Sequence, residues 1–368
     1  MMEPTILTAS FAAAAQRHQI PAAVAAVADA DTVLATCTHG PAGADNIFAI
    51  ASMTKAITTT AAMQLVERGV LHLDEPIHHR LPELHELPIL EGFHDHGAPI
   101  YSQQRYFVTL RQLLSHTAGF AYSWNHPLAL CHSPGGRSYL VHEPGRRWHY
   151  GTNVDWAGRL VEAASGQNLE EYFQHHILRP LGMSDTSFLL PPEKFNRLAH
   201  NHQRESNGVL RELPRVHPPA PQAFNGGGGL FSTAPDYVRF MQMILRRGLA
   251  ADGTRILEEA SILAMSTNQT GELEVGRITS TIPERSCDVD FHPGARDHFG
   301  LGFLINPQPH TAGRSAGSLA WGGIRNTFYW IDPHRNLAAV LLMHFQPFCD
   351  PAAMALLNAF ERAVYHEP

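Results

Sequence analysis

The sequence predicts an α+β fold: an antiparallel sheet assembled from both ends of the chain, flanked by helices, with a mainly helical domain inserted between them. Three observations lead there. Strand-like runs lie near the start, between Ile20 and Cys37, and near the end, between Gly300 and Phe345. The residues between these runs pattern mostly as helices and loops. A chain of 368 residues also exceeds the usual size of one compact core, so two layers or two interleaved domains are expected. The expected division is residues 1–70 with 225–368 for the sheet-bearing part and 71–224 for the helical part.

Taken in order, Ile20 to Cys37 reads as two apolar runs around Asp29-Ala30-Asp31, which suits a β-hairpin with a polar turn. From Ser52 the pattern turns helical, with Met53, Ala56, Ile57, Met63, Leu65 and Val66 on one or two faces and Gly69 as the stop. Residues 72–224 are rich in Pro and His, with helices expected over Asn153 to Ser165 and Asn168 to Leu178. Asn168 followed by Glu171 resembles a capping box. Gly226 to Gly229 is a tight turn, and a helix from about Pro235 to Arg247 follows, started by Ser232 or Thr233 and stopped by Gly248. Gly300 to Ile305, Thr327 to Ile331 and Leu337 to Phe345 read as strands, the last two joined by Asp332-Pro333-His334-Arg335-Asn336. A helix from about Ala352 to Val364 closes the chain.

Composition narrows the function classes. With 44% hydrophobic and 17% charged residues, the chain is an ordered globular protein. Its net charge of −7 and the absence of Lys/Arg runs interleaved with aromatics argue against nucleic acid as a partner. Cys37, Cys131, Cys287 and Cys349 are far apart with no CxxC pair, so free thiols and a reducing compartment are expected. No stretch of about 18 apolar residues occurs, and the N-terminal segment lacks a basic region followed by an apolar one. The expectation is a cytoplasmic protein with no membrane insertion. Twenty-four histidines invite a metal, yet His94 and His96 have no Asp-His following, and no HExxH helix exists. Pairs such as His78-His79 and His175-His176 suit a solvated surface. Neither a metal nor a cofactor is expected.

The central chemical signal is Ser52-Met53-Thr54-Lys55 at a predicted helix start. Residues three apart share a helix face, so the Lys amine reaches the Ser hydroxyl. Free N–H groups and the positive dipole end there favour a developing alkoxide and the oxyanion of a tetrahedral intermediate. Only two of the 27 Lys and Arg residues are lysines, Lys55 and Lys194. A chain that uses arginine as its general surface cation keeps lysine where an amine able to lose its proton is useful. A solvated first-turn lysine after an N-cap serine is the structural alternative.

At this point the sequence resembles a known family. IFAIASMTKAITTTAAMQLVERG is similar to the first motif of the serine β-lactamase-like superfamily, which includes class C β-lactamases, DD-peptidases and family VIII carboxylesterases. LLSHTAGF, WHYGTN, LVEAASGQ, PLGMSDTSF, GGGGLFSTAPDYVRFMQMIL and GLGF follow in the family's order, and the likeness spans about residues 10 to 365. It implies a β-lactamase/DD-peptidase-like fold, with Ser52 as nucleophile, Lys55 as its partner and Tyr150 as the proton shuttle. Lactamases carry Tyr-x-Asn, whereas here Thr152 fills that place and Asn153 lies one residue further on. Family VIII esterases and related acyltransferases look closer. Asn153 and Asp155 then lie behind the reacting groups, and Asp155 reads equally well as an ordinary helix-start acid.

The third family motif is a strand with Lys-Thr-Gly or His-x-Gly, and this chain offers Trp321-Gly322-Gly323. Its two glycines allow close backbone approach to an acyl group; without the other motifs they read as a simple turn. By resemblance the Ile324 N–H joins that of Ser52 in an oxyanion hole, and Tyr122 lines the pocket. Gly313-Arg314-Ser315-Ala316-Gly317 offers a rival nucleophile as a GxSxG elbow, but Asn306-Pro307-Gln308-Pro309 precedes it where a strand is required. The expected activity is cleavage of small-molecule carboxylic esters, with acyl transfer as a variant. A β-lactamase or D-amino-acid peptidase of the same fold and a non-catalytic scaffold are the alternatives.

Overall fold

The computed structural model describes residues 3–131 and 138–365; the outermost residues of the expected domain ranges, 1–2 and 366–368, lie outside them. A seven-stranded antiparallel sheet forms the centre. Its strands are β1 (Ala23–Ala28), β2 (Val33–His39), β3 (His298–Phe299), β4 (Leu304–Ile305), β5 (Leu319–Gly323), β6 (Thr327–Asp332) and β7 (Leu337–Leu342), in the spatial order β2-β1-β7-β6-β5-β4-β3. The N-terminal hairpin joins the C-terminal strands through β1 and β7, with Val24 opposite Leu342 and Ala28 opposite Ala338. Both ends of the chain thus build one sheet, as the sequence predicts.

β1 reads AVAAVA and is buried at every position, which requires cover on both faces. On one side lie α1 (Pro4–Arg17) and the last helix, α5 (Pro351–Tyr365), which touch each other through an edge-to-face Phe11–Phe360 pair at 5.5 Å. Burial of one such ring stabilises the fold by about 1.5–3 kcal/mol. Helix α4 (Ala234–Leu245) also packs on β1 and β7. Thr233 is its N-cap, accepting from the Asp236 N–H, and Gly248 beyond it sits at φ +95.

Helix α2 (Thr54–Glu67) follows a 3-10 turn over Ala51–Met53, and twelve of its fourteen residues are buried. A helix enclosed all round belongs to the centre of a protein. It packs against α3 (Asn153–Ser165) from the inserted segment. The two layers share one continuous cluster of buried apolar residues.

Several elements differ from expectation. α1 carries no strong sequence pattern, yet Glu3 caps it and Leu7, Phe11, Ala14 and Ala15 bury its inner face. Of the Gly300–Ile305 run only Leu304–Ile305 is strand, as β4, with β3 lying just before it, because Gly302, at φ +82, turns the chain where a Cβ would meet Thr59 Oγ1 at 2.5 Å. The Leu337–Phe345 run leaves the sheet after Leu342, and Phe345–Gln346 instead pairs with His202–Arg204. The inserted segment holds, besides its helices, a hairpin of Pro88–Phe93 and Pro99–Gln103. Asn168 caps its helix as expected, but regular α-structure ends at Phe173 and continues as a π-turn to Leu178.

Candidate active site

Ser52 sits in the 3-10 turn that leads into α2, just after Ala51 at φ +46. That conformation is strained for a residue with a Cβ, and the surroundings fix it. Tyr237 of α4 donates to Met53 O at 3.0 Å, Ile50 N–H donates to Leu230 O, and Thr327 Oγ1 donates to Ile50 O at 3.2 Å. Gly323 lies so close that a Cβ there would meet Ile50 O at 2.3 Å. The glycine pair therefore lets β5 run directly beside the serine turn.

Lys55 lies one helical turn beyond Ser52 and is 1% exposed. Its Nζ donates to Ser52 Oγ at 3.0 Å, to Tyr122 Oη at 3.1 Å and to the carbonyl of Gly227. The four-glycine turn thus supplies an acceptor that fixes the amine. Thr58 reinforces that turn by donating to Gly226 O at 2.7 Å. Tyr150, 4% exposed, donates to Ser52 Oγ at 2.6 Å from the opposite side. Trp321 Nε1 donates to Tyr150 Oη at 3.4 Å. Ser52 and Lys55, three residues apart, and Tyr150, nearly a hundred residues further on, form one hydrogen-bonded cluster.

Tyr122 stands between Lys55 and Asp155, donating to Asp155 Oδ2 at 3.2 Å. Burial, together with Asp155 and Tyr150, raises its phenol well above the ordinary value, so Tyr122 stays protonated. Burial also raises the Asp155 carboxyl, against the pull of Lys55. A Cβ at Gly227 would meet Asp155 Oδ2 at 2.1 Å, so only glycine fits beside that carboxylate. Asp155 is therefore joined to Lys55 through Tyr122, not merely placed at a helix start. Asn125 ties the two tyrosine segments together, its Nδ2 donating to Tyr150 O at 2.8 Å and its Oδ1 accepting from Tyr122 N–H.

Asn153 is turned into the protein. Its Nδ2 lies 3.0 Å from His116 Nδ1 and also approaches Phe120 O and His149 O. His116 in turn packs its ring 4.9 Å from that of Tyr150. Burial, with Lys55 adding to it, holds His116 well below the ordinary value and thus neutral.

The serine opens into a cleft of about 140 Å³ lined by Tyr122, Tyr150, Gly322 and Ile324, and also by Trp124, Asn225, Arg285 and Phe348. Sequence reading missed these last four: Trp124 and Asn225 lie beside Tyr122 and the four-glycine turn, while Arg285 and Phe348 come from loops without a motif. Arg325, the nearest basic residue to the glycine pair in sequence, points elsewhere, donating to Asn201 Oδ1 and Gln346 Oε1. Ser315 sits in a loop with no strand directly before it, and β5 instead of a helix follows. Its N–H donates to Asp332 Oδ2 and its carbonyl accepts from Asn306.

Comparison with known proteins gives the family. Residues 7–363 match the family model described as Beta-lactamase. The chain is 33% identical over 347 residues to monacolin J acid methylbutanoyltransferase of Aspergillus terreus, covering 88% of this chain and 83% of that protein. It is 30% identical over 324 residues to lovastatin esterase of Penicillium rubens, covering 82% and 80%. A mutant of simvastatin synthase from Aspergillus terreus superposes with a TM-score of 0.85 at 31% identity, covering 99% of this chain and 97% of that one. The chain belongs to the β-lactamase family and is an enzyme of that fold.

Proposed function

We propose that this enzyme cleaves small carboxylic esters through an acyl-enzyme on Ser52. The observation that carries the reading is Ser52 Oγ within hydrogen-bond reach of both Lys55 Nζ at 3.0 Å and Tyr150 Oη at 2.6 Å. Such contacts meet the geometric requirement for nucleophile activation. In this scheme Oγ attacks the ester carbonyl and its proton passes to the Lys55–Tyr150 pair. The pair returns that proton to the departing alkoxide, leaving an acylated serine and a free alcohol. A second hydroxyl compound then gives its proton to the pair and attacks the acyl carbon, and Oγ departs with that proton. The backbone N–H groups of Ser52 and Ile324 take the oxyanion; Ser52 occupies a helix start, where such groups lack intrahelical partners.

Residues 1–70 with 225–368 form one wall in this reading and residues 71–224 the other, in a cytoplasmic enzyme. Water as the second reactant gives hydrolysis and an alcohol gives acyl transfer. The names of the relatives support both, one an acyltransferase and one an esterase. The turned-in Asn153 and the Thr152 in place of the lactamase asparagine support esters over β-lactams. The test is kcat/KM for p-nitrophenyl butyrate beside nitrocefin, with and without an added alcohol acceptor, and fluorophosphonate labelling of Ser52→Ala and Ser315→Ala. Ester turnover that survives in Ser52→Ala, or nitrocefin outrunning the ester, overturns the proposal.

A further inference from the structure

Two histidines away from the serine cleft are arranged as metal-binding imidazoles are. His292 Nδ1 lies 2.8 Å and 2.9 Å from the two carboxylate oxygens of Asp297, and His310 Nδ1 lies 2.8 Å from Glu361 Oε1. Glu361, which also pairs with Arg314, stays ionised and can only accept, so His310 carries a proton on Nδ1. Asp297 imposes the same tautomer on His292. Each neutral ring then presents a bare Nε2 lone pair, and neither Nε2 has a hydrogen-bond partner among the described residues. The two side chains are only 6% and 12% exposed, and both line one cavity of about 20 Å³, the size of a single ion or water. Their ring centroids stand 4.9 Å apart with the planes at 62°. Two imidazoles on one tetrahedral ion, at metal–nitrogen distances of about 2.0–2.1 Å, have their centroids about 5 Å apart. The backbone holds both rings in place, through turns closed by Ala295 N–H to His292 O and Gly313 N–H to His310 O, each at 2.9 Å. A wider cavity of about 410 Å³, which both histidines also line, gives an entry path.

We propose that His292 and His310 bind a divalent first-row transition ion of the zinc type through their Nε2 atoms. Asp297 and Glu361 orient the two ligands from behind, the arrangement that metal-bound histidines commonly have. No set of three or more His, Cys, Asp or Glu among the described residues is placed to hold an ion, because the two carboxylates lie on the Nδ1 side. Water therefore completes the sphere, and binding is weaker than at a four-ligand structural site. The ion ties the 292–297 loop and the 310–314 turn to α5, which carries Glu361. No motif announces the pair, since the carboxylates come from five and 51 positions away. Neither histidine lines the serine cleft, so the inference is independent of the ester reading.

The test is equilibrium dialysis of metal-free protein against micromolar Zn²⁺, with bound zinc counted by mass spectrometry. Wild type is compared with H292A/H310A and with H94A/H96A, a control in which an exposed, stacked histidine pair is removed. Wild type is expected to hold one equivalent that H292A/H310A lacks and H94A/H96A keeps. D297N is expected to weaken that equivalent by about 10- to 100-fold, a loss of affinity that a merely structural role for Asp297 would not give. An anomalous-scattering map of a zinc-soaked crystal needs no variant and is expected to place the ion between the two Nε2 atoms. Equal zinc content in wild type and folded H292A/H310A overturns the inference, and so does a map with zinc elsewhere and none between these rings.

Discussion

Replacing Lys55 probes the proposed chemistry most directly, because three acceptors converge on its amine. In Lys55→Ala, the hydroxyls of Ser52 and Tyr122 and the carbonyl of Gly227 lose their common donor at a position only 1% exposed. Ser52 keeps its bond from Tyr150 and Tyr122 its bond to Asp155, so the Gly227 carbonyl is the group left unpaired, at an expected cost of about 1–3 kcal/mol. Lys55→Arg keeps the charge but forces a larger group into a space closed by those acceptors, at about 1–3 kcal/mol. Guanidinium also cannot take a proton from Ser52. Both variants should therefore lose about 10²–10⁴ in kcat, the range for a lost acid–base group. The assay is p-nitrophenyl butyrate turnover on protein shown to be folded by circular dichroism, with denaturant melts for the stability change. A folded Lys55→Arg within about tenfold of wild-type kcat would refute the argument and leave Lys55 as a positive charge only.

Tyr150→Phe removes the hydroxyl 2.6 Å from Ser52 Oγ and should lower kcat by about 10² or more with little change in KM; a change confined to KM would make Tyr150 a wall residue. Glu361 is a fully buried partner of Arg314 and His310, and these two outweigh burial to hold its carboxyl at about 2. Glu361→Ala strands Arg314 without its partner and should destabilise by about 3–5 kcal/mol in urea melts, and a loss near zero would show that the network relaxes. Burial keeps His116 and His344 neutral, with His344 lowered to about 4, from an ordinary 6.5. The unfolded chain takes up protons below pH 6.5 and the folded one does not, so stability falls as pH drops through that window, by about 1.4 kcal/mol per pH unit for each histidine. Denaturant melts between about pH 7 and pH 5 check this, and a flat profile would mean the two rings titrate normally.

The elements that were legible in the sequence are those whose boundaries are set locally. Asn153–Ser165 and Thr327–Asp332 match expectation to within a residue because local signals bound them, Gly166 in the left-handed conformation ending the helix and the Asp332-Pro333 turn ending the strand. The Asp29 turn is another, its Oδ1 accepting from the N–H groups of Asp31 and Thr32. Elements whose form depends on distant chain were not legible. The strand after Leu337 ends at Leu342 because the following residues pair with His202–Arg204, more than a hundred positions away. α1 forms against α5 and β2, neither of which its own sequence names.

The site divides along the same line. Ser52 and Lys55 are related by helix spacing, so their contact follows from sequence alone. Tyr150 meets them through tertiary structure, and family resemblance, not local pattern, assigned it a role. Arg285, Trp124 and Phe348 arrive from separate loops, held together by bonds such as Phe348 N–H to Arg285 O and Thr281 N–H to Trp124 O. Such positions can change without disturbing the helix, the glycine turn or the β5 approach that fix Ser52. Chemistry carried by a rigid helix start and specificity carried by separate loops are therefore independently variable. In the proposed reading this separation suits a fold whose members include an acyltransferase and an esterase, and it puts the choice of substrate in the loop residues around the cleft mouth.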